Sequence, residues 1–313
     1  MLAKTRLPLY HTPAHFVNRH FVQKLKEKNP EICATFPLAF LSTFCYNYTC
    51  QEESLINKKT IREETKKMKK HYYMTLDTET CNGFANPLVY DIGFTIHDRK
   101  GNIYEKFSFV VREIFFGEWK KMRTAYYADK IPSYYKGLSE GKFVAKSFWE
   151  IRRLIFSLMK KYKVKAVIAY NAGFDMNALN STARYLTKFD KENQTFFKDN
   201  TVVWDSWHMA CQTILLNKPF FKDAVEHLWI SESGNVQTSA EIAFRHIMKD
   251  TDFIESHTAL EDAIIETAIF AKCVATHKKM NRGIIASPWR IPQPDFKEYY
   301  ESHVSPLDIF GEI

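Results

Sequence analysis

Two carboxylates one residue apart, Asp77 and Glu79, end the chain's first strongly apolar run, in Leu76-Asp77-Thr78-Glu79-Thr80. In a strand, residues i and i+2 point to the same side, so both acids would face one point in space. Neighbouring carboxylates raise each other's cost of ionising. Hard divalent cations, Mg²⁺ or Mn²⁺, remove that cost by taking oxygen ligands from both. The same pattern also fits a pair of solvated acids at a strand end. A third acid, Asp175, stands in Ala169-Tyr170-Asn171-Ala172-Gly173-Phe174-Asp175, after a strand and at the opening of a helix. Ligands gather at the C-terminal ends of strands in such sheets, although Asp at a helix start also serves as a simple N-cap. Asn171 either caps that helix or contacts substrate. A fourth group is His257-Thr258-Ala259-Leu260-Glu261-Asp262. With His257 in the loop before a helix, Asp262 can project inward while the imidazole hangs over the same site. Glu261 competes with Asp262 for that role, and periodicity does not choose between them.

The elements that must position these groups follow from the apolar patterning. Residues 72–77 form a short apolar run ending in acids, a buried strand. Residues 88–97 alternate and form a second strand. The turn at 98–102 leads to a third strand over 103–111, which makes a hairpin. The link 114–146 is aromatic and basic, with helical pieces and loop. A helix is expected over 148–162, a central strand over 164–170, a turn running into a helix over 171–185, and a strand over 201–204. Helices follow from about 207, over 238–248 and over 257–277. On the last, Leu260, Ile264, Ala268, Ala271 and Val274 mark an apolar stripe. A hairpin followed by alternating helix and strand predicts an α/β fold with a mixed sheet and helices on its faces.

The bulk numbers restrict partners less than they first suggest. The net charge is +8, but residues 1–70 carry 13 Lys+Arg against 6 Asp+Glu, while residues 71–313 carry 31 against 30. The basic balance therefore sits in the N-terminal segment, and a nucleic-acid reading must rest on a site. The six cysteines contain no CxxC pair, which argues against zinc. No secretory signal opens the chain, and the apolar run at 36–44 is too short to span a bilayer. The expectation is a cytoplasmic protein with reduced cysteines and no membrane partner. Residues 1–67 read as a disordered or loosely helical extension, or as lying outside the native protein with translation starting at Met68. A protein mass beginning before Met68 would exclude the second reading. Residues 68–282 form the expected domain, and 283–313 a C-terminal tail.

Taken in order, Asp-x-Glu on the first strand, Asn-x-x-Phe-Asp after the fourth and His-x4-Asp at a late helix resemble the three motifs of the DEDDh family. These are the DnaQ-like, proofreading epsilon-like 3′–5′ exonucleases. The resemblance covers roughly residues 72–279 and includes Tyr90-Asp91-Ile92-Gly93 and Trp204-Asp205. It departs at Tyr170, where many members have His. It implies an RNase H-like five-stranded mixed sheet, three strands antiparallel and then two parallel. It further implies two Mg²⁺ or Mn²⁺ held by Asp77, Glu79, Asp175 and Asp262, with His257 as general base. The substrate would be a single-stranded 3′ end, DNA before RNA, in a stand-alone nuclease or one that serves a polymerase partner. Thr80, Phe84, Asn171 and Phe174 are the candidate substrate contacts, Phe84 being equally readable as a core residue. Lys160, Lys161, Lys163 and Lys165 form a basic patch that also reads as a solvated helix end. The alternatives are an RNA-directed exoribonuclease of the same family, a non-catalytic nucleic-acid-binding module of this fold, and a scaffold whose acids merely cap helices.

Overall fold

The computed structural model describes residues 71–188 and 194–303. The expectations for residues 1–67 lie outside the described residues. Strands β1 (Tyr72–Cys81), β2 (Leu88–Asp98) and β3 (Ile103–Val111) form the expected antiparallel meander. Strands β5 (Val167–Ala169) and β6 (Val203–Asp205) continue it in parallel from β1. The sheet order is β4-β3-β2-β1-β5-β6. The α/β mixed sheet expected from the patterning is therefore present, with one strand more than the five anticipated. The extra strand, β4 (Val144–Lys146), pairs in parallel with β3 at the sheet edge. Three residues at an edge carry too little alternation to stand out in a sequence, which is why the link 114–146 reads as helix and loop.

The helices of that link are α1 (Arg112–Phe115), α2 (Trp119–Met122) and α3 (Ile131–Ser139). Next comes α4 (Phe148–Tyr162), begun by a capping box in which Ser147 and Glu150 satisfy each other's backbone N–H groups. It buries Phe148, Ile151, Ile155 and Leu158 against the meander. Helix α5 (Ala172–Leu186) follows β5, and α6 (Ser206–Gln212) follows β6. A separate helix, α7 (Lys218–Glu226), starts from an Asn217 cap, where the sequence suggests only a continuation. Helices α8 (Ala240–Met248) and α9 (Ala259–Ala275) complete the set expected. Beyond residue 283, α10 (Gln293–His303) buries Phe296 against Phe221 of α7, and residues 304–313 lie outside the described residues.

Every residue of β2 is buried, although its alternation suggests one wet face. Its polar side chains are satisfied inside. Asp91 accepts from the Tyr134 hydroxyl at 2.7 Å, Thr95 meets Thr267 at 2.7 Å, and His97 meets Thr75 at 2.8 Å. A buried polar group with a partner is tolerated where an orphan is costly. Helix α9 lies across β2 and β1, and its stripe differs from the expected one. Asp262, Ile265, Glu266, Ile269 and Cys273 are buried, whereas Leu260, Ile264 and Ala268 are half-buried. The helix is covered by sheet on one side and by α6 and α8 on others, so no single apolar stripe defines its inner face.

Gly93 sets how closely α9 approaches. A Cβ there would lie 2.1 Å from the Ala259 carbonyl carbon, a backbone atom that cannot swing away. The adjacent Asp91 carboxylate accepts the Ala259 N–H at 3.2 Å. Gly93→Ala should therefore force the start of α9 off the sheet. The expected cost is about 3 kcal/mol, the upper end of ordinary overpacking, read as a fall in the urea midpoint. An unchanged midpoint would contradict this close packing.

Candidate active site

Strand β1 runs on through the acids to Cys81, past the end expected at residue 77. Asp77 pairs with Gly93 and Glu79 with Asp91 across the β1–β2 ladder, and a bulge follows between Glu79 and Thr80. The pleat puts both acids on the side where α9 begins. Asp262 lies in the first turn of α9, and one carboxylate oxygen each from Asp77, Glu79 and Asp262 fall within 4.8 Å of one another. Asp262 is buried beside them, while Glu261 is exposed. One oxygen of Asp262, Oδ1, is buried with no hydrogen-bond partner.

Asp175 is 2% exposed and does not cap its helix. It lies in the first turn of α5, where the Thr78 hydroxyl donates to it at 2.8 Å. Thr78 thereby ties the helix after β5 to the strand that carries the other acids. Asn171 holds the position before α5 in a left-handed conformation, φ 64°, with an exposed side chain that makes no cap. Asp205 explains the local shape. It caps α6 through the Trp207 and His208 N–H groups and also accepts the Asn171 N–H. Tyr170, the departure from the family pattern, donates its hydroxyl to the Thr238 carbonyl and stacks on Trp207. With Asn171 and Trp289, both line a pocket of about 600 Å³.

His257 sits in the loop before α9 with φ 53°. Its ring stacks on Tyr127, centroids 4.1 Å apart and planes at 13°. Lys130 donates to the neighbouring Ser256 carbonyl. The aromatic link 114–146 thus clamps the histidine loop, a role the sequence does not show because that link lacks periodicity. Burial, and then the Lys130 charge, hold the His257 pKa below its usual value, so the ring is neutral at pH 7.

Phe84 is 74% exposed, which sets aside the core reading. Its ring lies 6.2 Å from Phe174 and 6.4 Å from Tyr126, itself 76% exposed. Thr80 is half-buried beside the bulge. The four lysines are exposed near the C-terminal end of α4 and the start of β5, and Lys161 pairs with Glu105 at 2.9 Å. They therefore lie at the end of β1 and β5 opposite the acids, as a solvated helix end.

A further acid, Glu266, is not signalled by the sequence. It lies one turn beyond Asp262 on α9, 3% exposed, within an apolar helix where one Glu reads as a surface charge. Burial and mutual repulsion raise the pKa values of the clustered acids. Burial is the largest cause for Asp77, Glu79, Asp175, Asp262 and Glu266 alike. These groups hold protons in the folded chain that they release in the unfolded one. Their contribution to metal-free stability is complete below about pH 4 and is lost as pH rises through about 7 for Asp175 and about 9 for Glu79. The melting temperature in EDTA should fall between pH 6 and pH 9, and Mg²⁺ should restore more of it at pH 9. A metal-induced gain that does not grow with pH would contradict the clustering.

No protein-family model matches the chain, and neither does any curated protein sequence. Among solved structures, Escherichia coli exonuclease I in complex with a 5cy-dT13 oligonucleotide matches with a TM-score of 0.41 and 15% identity. That match covers 75% of this chain and 43% of that one. A product-bound structure of exonuclease I matches at a TM-score of 0.40 and 15% identity, over 75% and 47%. The chain thus spans less than half the length of these structures, and the likeness is a loose one. Among the described residues, no helix is long and apolar enough to cross a membrane. The cysteines described there, Cys81, Cys211 and Cys273, are free and buried.

Proposed function

We propose that the chain is a metal-dependent 3′-to-5′ exonuclease that releases nucleoside 5′-monophosphates from single-stranded DNA ends. The observation that carries this reading is the convergence of Asp77, Glu79 and Asp262 within 4.8 Å, from two distant segments of the chain. The donor set fits hard divalent ions, as do the orphaned Oδ1 of Asp262 and the raised carboxyl pKa values. Asp77, Glu79, Asp175 and Asp262 would hold two Mg²⁺ or Mn²⁺. Bound there, such ions supply Lewis acidity, a water of lowered pKa and charge to balance a departing 3′-oxygen.

The remaining chemistry belongs to the side chains. His257 is the general base: its neutral ring accepts the proton of the attacking water on Nε2, since Nδ1 lies 3.9 Å from a Glu255 oxygen. The Tyr127 stack and the Lys130 contact hold that ring in place. Exposed Phe84 and half-buried Phe174 offer aromatic surface to the terminal base, where stacking contributes roughly 1–3 kcal/mol per base. Asn171, free of a capping duty, and Thr80 lie at the two strand ends that border the acids and contact the terminal nucleotide. An RNA-directed exoribonuclease would use the same acids, and the difference lies in recognition of the 2′-OH.

The test uses strands labelled at the 3′ end, as DNA and as RNA. Immediate release of labelled 5′-mononucleotide, faster from DNA, and resistance of a strand with a blocked 3′ terminus are expected. Release from the 5′ end, or internal cuts, would overturn the polarity. Faster loss from RNA would replace DNA with RNA as substrate.

A further inference from the structure

Glu266 is the least explained charge in the protein. It follows Asp262 by four residues, so both project from the same face of α9, toward β1 and β5. Its side chain is 3% exposed. The backbone N–H of Tyr170, the first residue after β5, offsets part of the burial that raises the Glu266 pKa. Its Oε2 is buried with no hydrogen-bond partner. The side-chain charges that act on it most, those of Asp175, Asp262 and Glu255, are all negative. Glu266 in turn adds to the burial and the Asp175 charge that raise the Asp77 pKa. Folding has therefore buried a fifth carboxylate one turn along α9 from Asp262, within electrostatic reach of Asp175 and Asp77 and with one oxygen left open. A buried carboxylate is retained when it is paired or ligates a metal, and none of the side chains acting most strongly on this one pairs it.

We propose that Glu266 is a positioning residue of the divalent-metal site, a fifth carboxylate whose charge is balanced by the bound ions instead of by a side chain. The proposal rests on the metal-dependent reading above and extends it to a residue outside the three motifs. It accounts for the buried Oε2, which meets no hydrogen-bond partner among the described residues. It also separates two effects of removing the charge. The metal-free protein gains, because repulsion among the acids falls. The metal-bound protein loses, because the ions lose part of their counter-charge.

The experiment compares wild type, Glu266→Gln and Asp77→Asn by Mn²⁺ titration calorimetry and by thermal melting in EDTA. Glu266→Gln is expected to melt higher than wild type in EDTA and to bind Mn²⁺ about 10-fold more weakly, at the lower end of the losses seen when groups behind metal ligands are removed. Mn²⁺ affinity equal to wild type would overturn the proposal. So would a lower EDTA melting temperature, the mark of a carboxyl that the metal-free fold uses for packing. If wild type itself binds no Mn²⁺, the metal-dependent reading fails as well. If wild type binds and Asp77→Asn does not, while Glu266→Gln matches wild type, only the present proposal fails. Should Glu266→Gln not fold, Glu266→Asp carries the comparison, since it withdraws the carboxylate by one methylene. Weakened Mn²⁺ binding by that variant supports the proposal, and unchanged binding overturns it.

Discussion

Asp77→Asn should lower metal-dependent cleavage by roughly 10³-fold, the scale on which loss of one preorganised charge-stabilising group is felt, while making the metal-free protein harder to melt. The two effects have one cause. Asp77 lies among Asp175, Glu266, Glu79 and Asp262, each of which makes its ionisation more costly. An amide of nearly the same shape removes that repulsion from the metal-free fold. It also removes a ligand oxygen from the group that converges within 4.8 Å. A site kept for function at a cost in stability behaves in this way. Melting curves in EDTA and initial rates in Mg²⁺ read the two effects separately. A variant that is less stable without metal would mean that Asp77 is an ordinary structural acid.

His257→Ala should cost about 10²–10⁴-fold in kcat, the range for a positioned general base, with Mn²⁺ affinity nearly unchanged. His257 stands outside the carboxylate group and is held by Tyr127 stacking at 4.1 Å. Burial and the Lys130 charge depress its pKa. The base is therefore available at pH 7 and is lost only as pH falls below its depressed value. With saturating metal, the acid limb of kcat in wild type should lie below pH 6.5 and should be absent from the alanine variant's residual activity. A variant that retains wild-type kcat would remove His257 from the chemistry.

How much of this was readable in advance depends on what each residue does. Asp77 and Glu79 were legible because a period-2 strand fixes their side. Asp175 and Asp262 were legible as acids at helix starts, although the choice of Asp262 over Glu261 needed the actual rotation of α9. That rotation is set by Gly93 and Asp91, whose contacts cross 166 or more positions of sequence. Glu266 was invisible for the same reason: its burial comes from what covers α9 on several sides, and no local pattern carries that. The mixed sheet followed from the alternation of elements, while β4 escaped because three edge residues have no period to detect. Tyr127 escaped because stacking joins two irregular segments. Phe84 was ambiguous as a residue type, since an aromatic fits a core and a stacking surface equally, and only its exposure separates them.

The most direct test of the central claim is a time course on 5′-labelled single-stranded DNA with Mg²⁺, Mn²⁺ or EDTA, using wild type and Asp77→Asn side by side. A ladder that shortens from the 3′ end with metal, absent in EDTA and in the variant, is the expected result. Folded wild-type protein that leaves the strand intact in both metals, or that shortens it equally in EDTA, would contradict the account.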